Sequence, residues 1–377
     1  MTLIAALKPD GHPVLLGDLL ISGERPEHGD PPDFGPVFLP SVGLTLPPDP
    51  NASHQIVATR QKLCIITDNL AVGWSGDYPV AERIVRAMLD HFSPGPLNLA
   101  DIEVFLTTCN YDDLYRSDLH LVGACFDDRM FYTFGFSASK WDLPLFGKSY
   151  IAGSGLRTFL DLFGRYDPHD LPVPPNPFSV ALAKSLFVAG TLVGSEIYST
   201  QALTVHFFGG FYELMLRLQS GFTKMGDVLY TFWLFNPLPD TADEFRLRLL
   251  LLVKIDYEHD ILVSRRIELH YHQDGPPSKK DAVHFVSPIY RDVTEEELKG
   301  MRPPTVNATH FCHLIFVQID NEWNFLVIPE VSPIKKSIVI EEEGDGTQRL
   351  QFSSAFINRV AQDIIASKRR NDQRHTR

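Results

Sequence analysis

Short apolar runs open the chain and predict two β-hairpins. The first hairpin joins residues 2–7 to 14–16 across a turn that contains Pro, Asp and Gly. The second joins residues 62–66 to 70–74 across a Thr-Asp-Asn turn. Residues 24–51 lie between the hairpins and contain eight prolines, so we expect a long inserted loop there, with no helix and no interior strand.

The apolar spacing becomes helical after Gly76. Apolar side chains recur three or four positions apart from Val80 to Leu89, and Asp77 is placed to cap this helix, which should end near Phe92. The same criteria predict further elements. Helices are expected over 101–108, 156–163 and 177–198, and strands over 119–126, 129–136, 149–152, 202–208, 212–218 and 228–235.

A break rich in Pro and Asp, at residues 236–243, divides the chain. Apolar runs beyond it predict strands over 245–258, 260–272, 310–320, 324–329, 337–341 and 348–352, followed by a closing helix over 354–367.

Paired helices between runs of antiparallel strands predict an α+β fold over residues 1–235, namely a four-layer αββα sandwich. Residues 244–377 are expected to form an added β-rich domain with a terminal helix, whose function the sequence does not show. A chain of 377 residues exceeds the usual size of one hydrophobic core, which agrees with two domains.

Composition and charge narrow the function classes. The hydrophobic fraction of 44% is that of a globular protein, and the net charge of −13 argues against nucleic acid or an anionic membrane as the main partner. The four cysteines form no Cys-x-x-Cys motif, and no segment resembles a signal peptide. No uninterrupted apolar run reaches the ~20 residues of a membrane span. We therefore expect a cytoplasmic protein.

Thr2 is the main candidate for chemistry. A small residue at position 2 favours removal of Met1, which would leave Thr2 with both a hydroxyl nucleophile and an α-amine base. Asp18 follows Thr2 by sixteen residues, and Lys62 begins an apolar run fourteen residues before Gly76.

Two later motifs complete the pattern. Residues 153–155 form a Gly-Ser-Gly turn before a predicted helix, and residues 195–201 have the sequence Ser-Glu-Ile-Tyr-Ser-Thr-Gln. In this order and spacing, the motifs resemble those of the proteasome β-subunit and HslV family of N-terminal nucleophile hydrolases, over residues 1–235. The resemblance implies a threonine-type amide hydrolase, most simply a peptidase.

The resemblance also implies a role for each residue. The Thr2 hydroxyl would attack an amide carbonyl while the α-amine takes the proton. Lys62 would place positive charge beside the developing alkoxide, and Asp18 would pair with Lys62 and orient it. The Gly76 N–H would donate to the oxyanion.

Three further residues, Ser154, Glu196 and Ser199, would hold the terminal amine and its water. The chain departs from the family here, because Glu196 stands where the family has Asp and Thr200-Gln201 stands where it has a glycine pair. Leu20 also replaces a residue that is often Arg. The insertion at residues 24–51 would emerge beside the substrate cleft, where we expect it to form a lid or to narrow specificity.

The resemblance implies a peptide or protein substrate, assembly into a ring or smaller homo-oligomer, and a separate ATPase or regulatory partner. It implies no cofactor and no metal. The His270-Tyr-His272 and His310 to His313 segments lack the compact second ligand pair of a zinc site. Two alternatives remain open: a catalytically inactive structural or regulatory homologue, and an N-terminal nucleophile amidase that acts on a small amide.

Overall fold

The structure is a computed structural model, and it defines the greater part of the chain. It describes residues 2–24, 37–44, 54–95, 97–109, 118–127, 129–164, 176–199, 203, 206–237, 245–271, 278–319, 322–331, 338–342, 348–353, 356–358, 360–362 and 364.

The chain forms two compact units that are interleaved along the sequence. The first contains Met1–Gly226, Asp256–Val263 and His284–Arg302, and the second contains Asp227–Ile255, Ser264–Val283 and Pro303–Arg377. The predicted domains, 1–235 and 244–377, stay a prediction.

Strands dominate the first unit. They are β1 (Ile4–Leu7), β2 (Val14–Asp18), β3 (Leu20–Glu24), β4 (Phe38–Leu39), β5 (Gly43–Leu44), β6 (His54–Thr59), β7 (Leu63–Thr67), β8 (Leu70–Ser75), β9 (His120–Phe126), β10 (Phe131–Phe136), β11 (Ser139–Leu143), β12 (Gly147–Ala152), β13 (Tyr212–Leu218) and β14 (Gly221–Lys224). The helices are α1 (Tyr78–His91), α2 (Leu99–Thr108), α3 (Leu156–Phe163), α4 (Pro177–Tyr198) and α5 (Glu295–Gly300).

Two antiparallel sheets form the core of this unit. One has the strand order β11-β12-β1-β2-β13-β14 and the other has the order β10-β9-β8-β7. A buried cluster contains side chains of both sheets, and small residues such as Ala6, Ala71 and Ala124 are prominent in it. Because these side chains are short, the backbones of the two sheets approach closely.

Local sequence explains where the helices begin. The Asp77 carboxylate accepts a hydrogen bond from Val80 N at 2.9 Å at the start of α1, as predicted. Asn98 caps α2 and Asn176 caps α4 in the same way. The apolar faces of α1 and α2 belong to one cluster with the side chains of β7, β8 and β9 that point away from the other sheet.

Helix α4 is predominantly apolar. It is long and apolar enough to span a membrane, but 67% of its most apolar window is buried inside the protein. A mostly buried helix of this kind is typical of the core of a soluble protein.

The second unit contains most of a further sheet, with the order β18-β17-β16-β15-β19-β20. The remaining strands of the chain are β15 (Val228–Pro237), β16 (Phe245–Glu258), β17 (Ile261–His270), β18 (Ser278–Val286), β19 (His310–Ile319), β20 (Glu322–Glu330), β21 (Ile338–Glu342) and β22 (Gln348–Phe352). Strands β15 and β19 are parallel. Phe356, Val360 and Ile364 lie in helical segments of the expected closing helix and pack in the core of this unit.

The predicted fold class, an α+β four-layer sandwich, is wrong. Strand accounts for 46% and helix for 26% of the structure, and the strands form several antiparallel sheets, so the fold is β-rich. The sequence analysis missed several strands because their pattern is weak. Four of the five residues of β11, for example, are exposed, so this strand shows no apolar alternation.

The strand predicted at residues 202–208 is also wrong. Residues 203 and 206–208, which are the described part of that range, form no strand. The φ angle of Phe207 is +49°, a left-handed conformation that no strand allows. The aromatic run therefore leads into a turn, which begins the site described below.

Substitution of Gly17 tests how closely the two sheets pack. A Cβ at Gly17 would lie 2.8 Å from the Lys62 Cβ. We expect Gly17→Ala to lower the free energy of unfolding by about 1–3 kcal/mol in denaturant titrations, because the buried side chain of Lys62 must shift. Gly300→Ala is the control, since no atom lies within 4 Å of the added methyl group. Equal losses in both variants would contradict the packing argument.

Candidate active site

Asp18 is the centre of the site. The Thr2 hydroxyl donates a short hydrogen bond to Asp18 Oδ1, and the Gly209 N–H donates to Asp18 Oδ2 at 2.7 Å. Thr2 and Asp18 are 1% and 0% exposed. Both oxygens of a buried carboxylate are thus satisfied, and one of them holds the candidate nucleophile.

Strand register brings Thr2 to Asp18. Strand β1 pairs with β2 so that Ile4 lies opposite Gly17, and the Asp18 N–H donates to the Leu3 carbonyl at 3.0 Å. Thr2 lies two residues before β1 and therefore beside the end of β2. The sixteen-residue interval between Thr2 and Asp18 is the length of this hairpin.

The predicted Gly-Ser-Gly turn encloses the backbone of Thr2. The Gly155 N–H donates to the Thr2 carbonyl at 3.1 Å, and a Cβ at Gly153 would lie only 2.0 Å from the same oxygen. The Ser154 hydroxyl donates to the His206 carbonyl at 2.7 Å. Ser154 thus joins this turn to the chain segment that leads to Gly209.

Lys62 is 2% exposed, and its Nζ lies 4.0 Å from the centroid of the Trp74 ring. Among the described side chains, Lys62 and Asp18 make no hydrogen bond or ion pair with each other. Their opposite charges therefore attract each other without direct contact. Glu213 fixes the backbone at this point, because its Oε2 accepts hydrogen bonds from the N–H groups of Lys62 (2.6 Å) and Leu63 (3.2 Å).

Burial shifts the pKa values of Asp18 and Lys62 toward 7, because it disfavours the charged form of each group. It raises the pKa of Asp18 to about 6, against the opposing charge of Lys62 and the hydrogen bond from Thr2. It lowers the pKa of Lys62 to about 8, against the opposing charges of Asp18 and Glu213. Both groups are charged together between about pH 6 and pH 8.

Gly76 follows β8, just before α1, and shares a cavity with Thr2 and Ser154. The cavity has a volume of about 340 Å³. Several of its lining side chains are polar, and His120 contacts both the Ser137 carbonyl (2.5 Å) and Asp118 Oδ1 (3.1 Å). The lining residues are Thr2, Ser75, Gly76, Asp118, His120, Ser137, Ser139, Ile151, Ala152, Gly153, Ser154 and Leu156.

Glu196 lies in the last turn of α4, is 1% exposed, and contacts a glycine pair instead of Thr2. Its Oε2 accepts a hydrogen bond from the Gly210 N–H at 3.1 Å. Burial raises the pKa of Glu196 to about 8, and the neighbouring Tyr212 and Ser41 hydroxyls oppose the rise. Glu196 is therefore largely a neutral acid at pH 7.

Ser199 is the C-terminal cap of α4, and its N–H donates to the Ser195 carbonyl at 2.8 Å. The structure thus brings Thr2, Asp18, Gly76 and Ser154 together, with Lys62 nearby. Glu196 connects to Thr2 only through other residues.

The sequence analysis missed Gly209 and Gly210. By motif, Thr200 and Gln201 replace the family's glycine pair, and both lie outside the described residues. Gly209 and Gly210 form a glycine pair nine residues further on, and the first of them contacts Asp18. The Gly-Gly dipeptide before an apolar run was the available signal.

No protein-family model matches the chain, and no curated protein sequence matches it significantly. The resemblance to N-terminal nucleophile hydrolases therefore depends on the residues and motifs of this chain.

Among the residues that the structure describes, no group of three His, Cys, Asp or Glu side chains is placed to hold a metal ion, and His272 lies outside them. All four cysteines are free, and three are buried. Burial raises the pKa of Cys64 to about 12, so this thiol is protonated and unreactive at neutral pH.

Glu196 gives stability a defined pH dependence. Its pKa in the folded state, about 8, lies above the ordinary value of 4.5, so the folded protein retains a proton that the unfolded chain releases between these values. The free energy of unfolding should fall as pH rises through this window. We expect Glu196→Gln, which mimics the neutral acid, to match the wild type near pH 5 and to be more stable near pH 8 in urea titrations. A constant difference between the two proteins across this range would refute the assignment.

Proposed function

We propose that this protein is a threonine-type amide hydrolase of the proteasome-like N-terminal nucleophile kind, with Thr2 as the nucleophile. The observation that carries the proposal is the hydrogen bond from the Thr2 hydroxyl to Asp18, at the wall of a cavity that also contains Gly76 and Ser154.

The chemistry follows from these positions. After removal of Met1, the Thr2 hydroxyl attacks the carbonyl carbon of an amide and its proton passes to the α-amine, whose pKa of roughly 8 suits a base at neutral pH. The Gly76 N–H stabilises the oxyanion. The amine product leaves with the proton, and water then hydrolyses the ester on Thr2.

Asp18 and Lys62 have distinct parts in this proposal. Asp18 fixes the direction of the Thr2 hydroxyl before attack. Lys62 supplies a buried positive charge that favours the developing negative charge, and it is charged below its pKa of about 8. A low-dielectric surrounding strengthens this effect.

A second candidate is a catalytically inactive homologue with a structural or regulatory role. Two observations favour it. Lys62 Nζ lies over the Trp74 ring, and the Thr2 hydroxyl bonds to Asp18 instead of to Lys62. If Gly209 and Gly210 correspond to the family's glycine pair, then Val205 and Phe208 occupy the positions of its acidic residue and serine.

The proposal extends to partners and location. The substrate is a peptide or protein, with a small amide as the alternative, and the protein assembles as a homo-oligomer in the cytoplasm. A separate ATPase or regulatory chain would supply or control the substrate.

Intact-mass spectrometry tests the proposed nucleophile. We expect the purified protein to lack Met1 and to gain one adduct from a threonine-directed epoxyketone, which requires both a free α-amine and a hydroxyl. Thr2→Ala should gain none, whereas Thr2→Ser should still react because it retains both groups.

The same experiment separates the two candidates. A processed wild-type chain that never gains the adduct, or a chain that retains Met1, would remove the hydrolase and favour the inactive homologue. An adduct that persists in Thr2→Ala would place the reactive group elsewhere.

A further inference from the structure

Gly209 connects Asp18 to the rest of the unit. Its N–H donates to Asp18 Oδ2 at 2.7 Å, and its carbonyl accepts a hydrogen bond from the Leu19 N–H at 3.2 Å. Both bonds join Gly209 to residues at the end of β2, so Gly209 helps to hold the carboxylate of Asp18 in place.

Gly210 is held by two other segments. Its N–H donates to Glu196 Oε2 at 3.1 Å, and its carbonyl accepts from the Ser41 N–H at 3.3 Å. Thus all four backbone polar groups of the glycine pair have partners, from β2, from α4 and from the Pro-rich insertion.

The turn also leaves no room for side chains. The φ angles of Gly209 and Gly210 are +113° and +81°, which favour glycine. A Cβ at Gly209 would lie 2.2 Å from Glu196 Oε1, and one at Gly210 would lie 3.0 Å from Leu39 Cδ2. The Glu196 carboxyl therefore contacts the glycine pair directly.

We propose that Glu196 is a positioning residue for the nucleophile: by holding Gly210, it places the Gly209 N–H that fixes the Asp18 carboxylate, and Asp18 in turn holds the Thr2 hydroxyl. The proposal rests on the proposed function of Thr2, and it gives Glu196 a different role from contact with the terminal amine.

The state of Glu196 fits this role. A carboxyl in the apolar interior is costly unless it is hydrogen-bonded, and the neutral acid still accepts a bond from Gly210 N. The ionisable groups that influence Asp18 and Glu196 are Lys62, Tyr212 and the two carboxyls themselves.

The insertion supports the glycine pair from another segment. Its described residues, 37–44, form the short β4–β5 hairpin, and Leu39 and Ser41 at its tip are fully buried. Leu39 belongs to a small apolar cluster with Leu20, Leu203 and Phe207. The insertion thus contacts the glycine pair through Gly210.

The test is the pKa of Asp18 in the full chain, measured by carboxyl-carbon NMR of aspartate-labelled protein and assigned with Asp18→Asn. Glu196→Ala should raise the pKa of Asp18 by about one unit or more, because the Gly209 N–H no longer stabilises the charged form. Glu196→Gln, whose amide oxygen still accepts from Gly210 N, should leave it within about 0.3 units. Leu192→Ala, a buried change in the same helix, controls for lost packing.

An unchanged Asp18 pKa in Glu196→Ala, or an equal shift in Leu192→Ala, would overturn the proposal. If Glu196→Ala does not fold, Leu39→Ala decides by the same criterion, since it releases the turn and keeps the carboxyl. Epoxyketone labelling of the same proteins separates the positioning role of Glu196 from the proposed hydrolase activity. Loss of labelling rate in Glu196→Ala, restored in Glu196→Gln, supports the positioning role. An unlabelled wild type defeats the hydrolase alone, and the Asp18 titration still decides the role of Glu196.

Discussion

A buried carboxylate needs hydrogen-bond partners for both of its oxygens. In the first unit, Asp18 is such a carboxylate. Its partners come from three separate parts of the chain: the hydroxyl of Thr2 before β1, the Gly209 N–H in a turn before β13, and the charge of Lys62 before β7. Each partner precedes a different strand, and the packing of that strand fixes the position of the partner. The site therefore depends on both sheets and on the glycine pair, and α4 contacts that pair through Glu196.

The ionisation states in this region depend on electrostatic interaction between Asp18 and Lys62, which share no hydrogen bond. Burial disfavours the charged forms of both Asp18 and Lys62, and each one's charge partly offsets the penalty of the other. Glu196, by contrast, escapes the penalty by remaining protonated. The region thus holds two acids in different states, one ionised beside the nucleophile and one neutral behind the glycine turn.

The sequence predicted the local elements better than the fold class. Both opening hairpins, the cap at Asp77 and helix α4 have strong local signals, whereas β11 is an exposed strand whose pattern says little. The intervals from Thr2 to Asp18 and from Lys62 to Gly76 reflect hairpin lengths, and they are part of the family resemblance that indicated these residues. Glu196 was found by motif, but its contact with Gly210 depends on a turn that begins at Phe207, and no periodicity reveals such a backbone.

A double-mutant cycle at Asp18 and Lys62 tests the central claim most directly, namely that these buried groups act as one electrostatic unit that holds Thr2. Asp18→Asn, Lys62→Met and the double variant would be unfolded in urea at pH 7 and at pH 5. The account predicts a coupling energy of about 1 kcal/mol or more at pH 7, which decreases at pH 5 as Asp18 takes up a proton. Additive effects at pH 7 would contradict it.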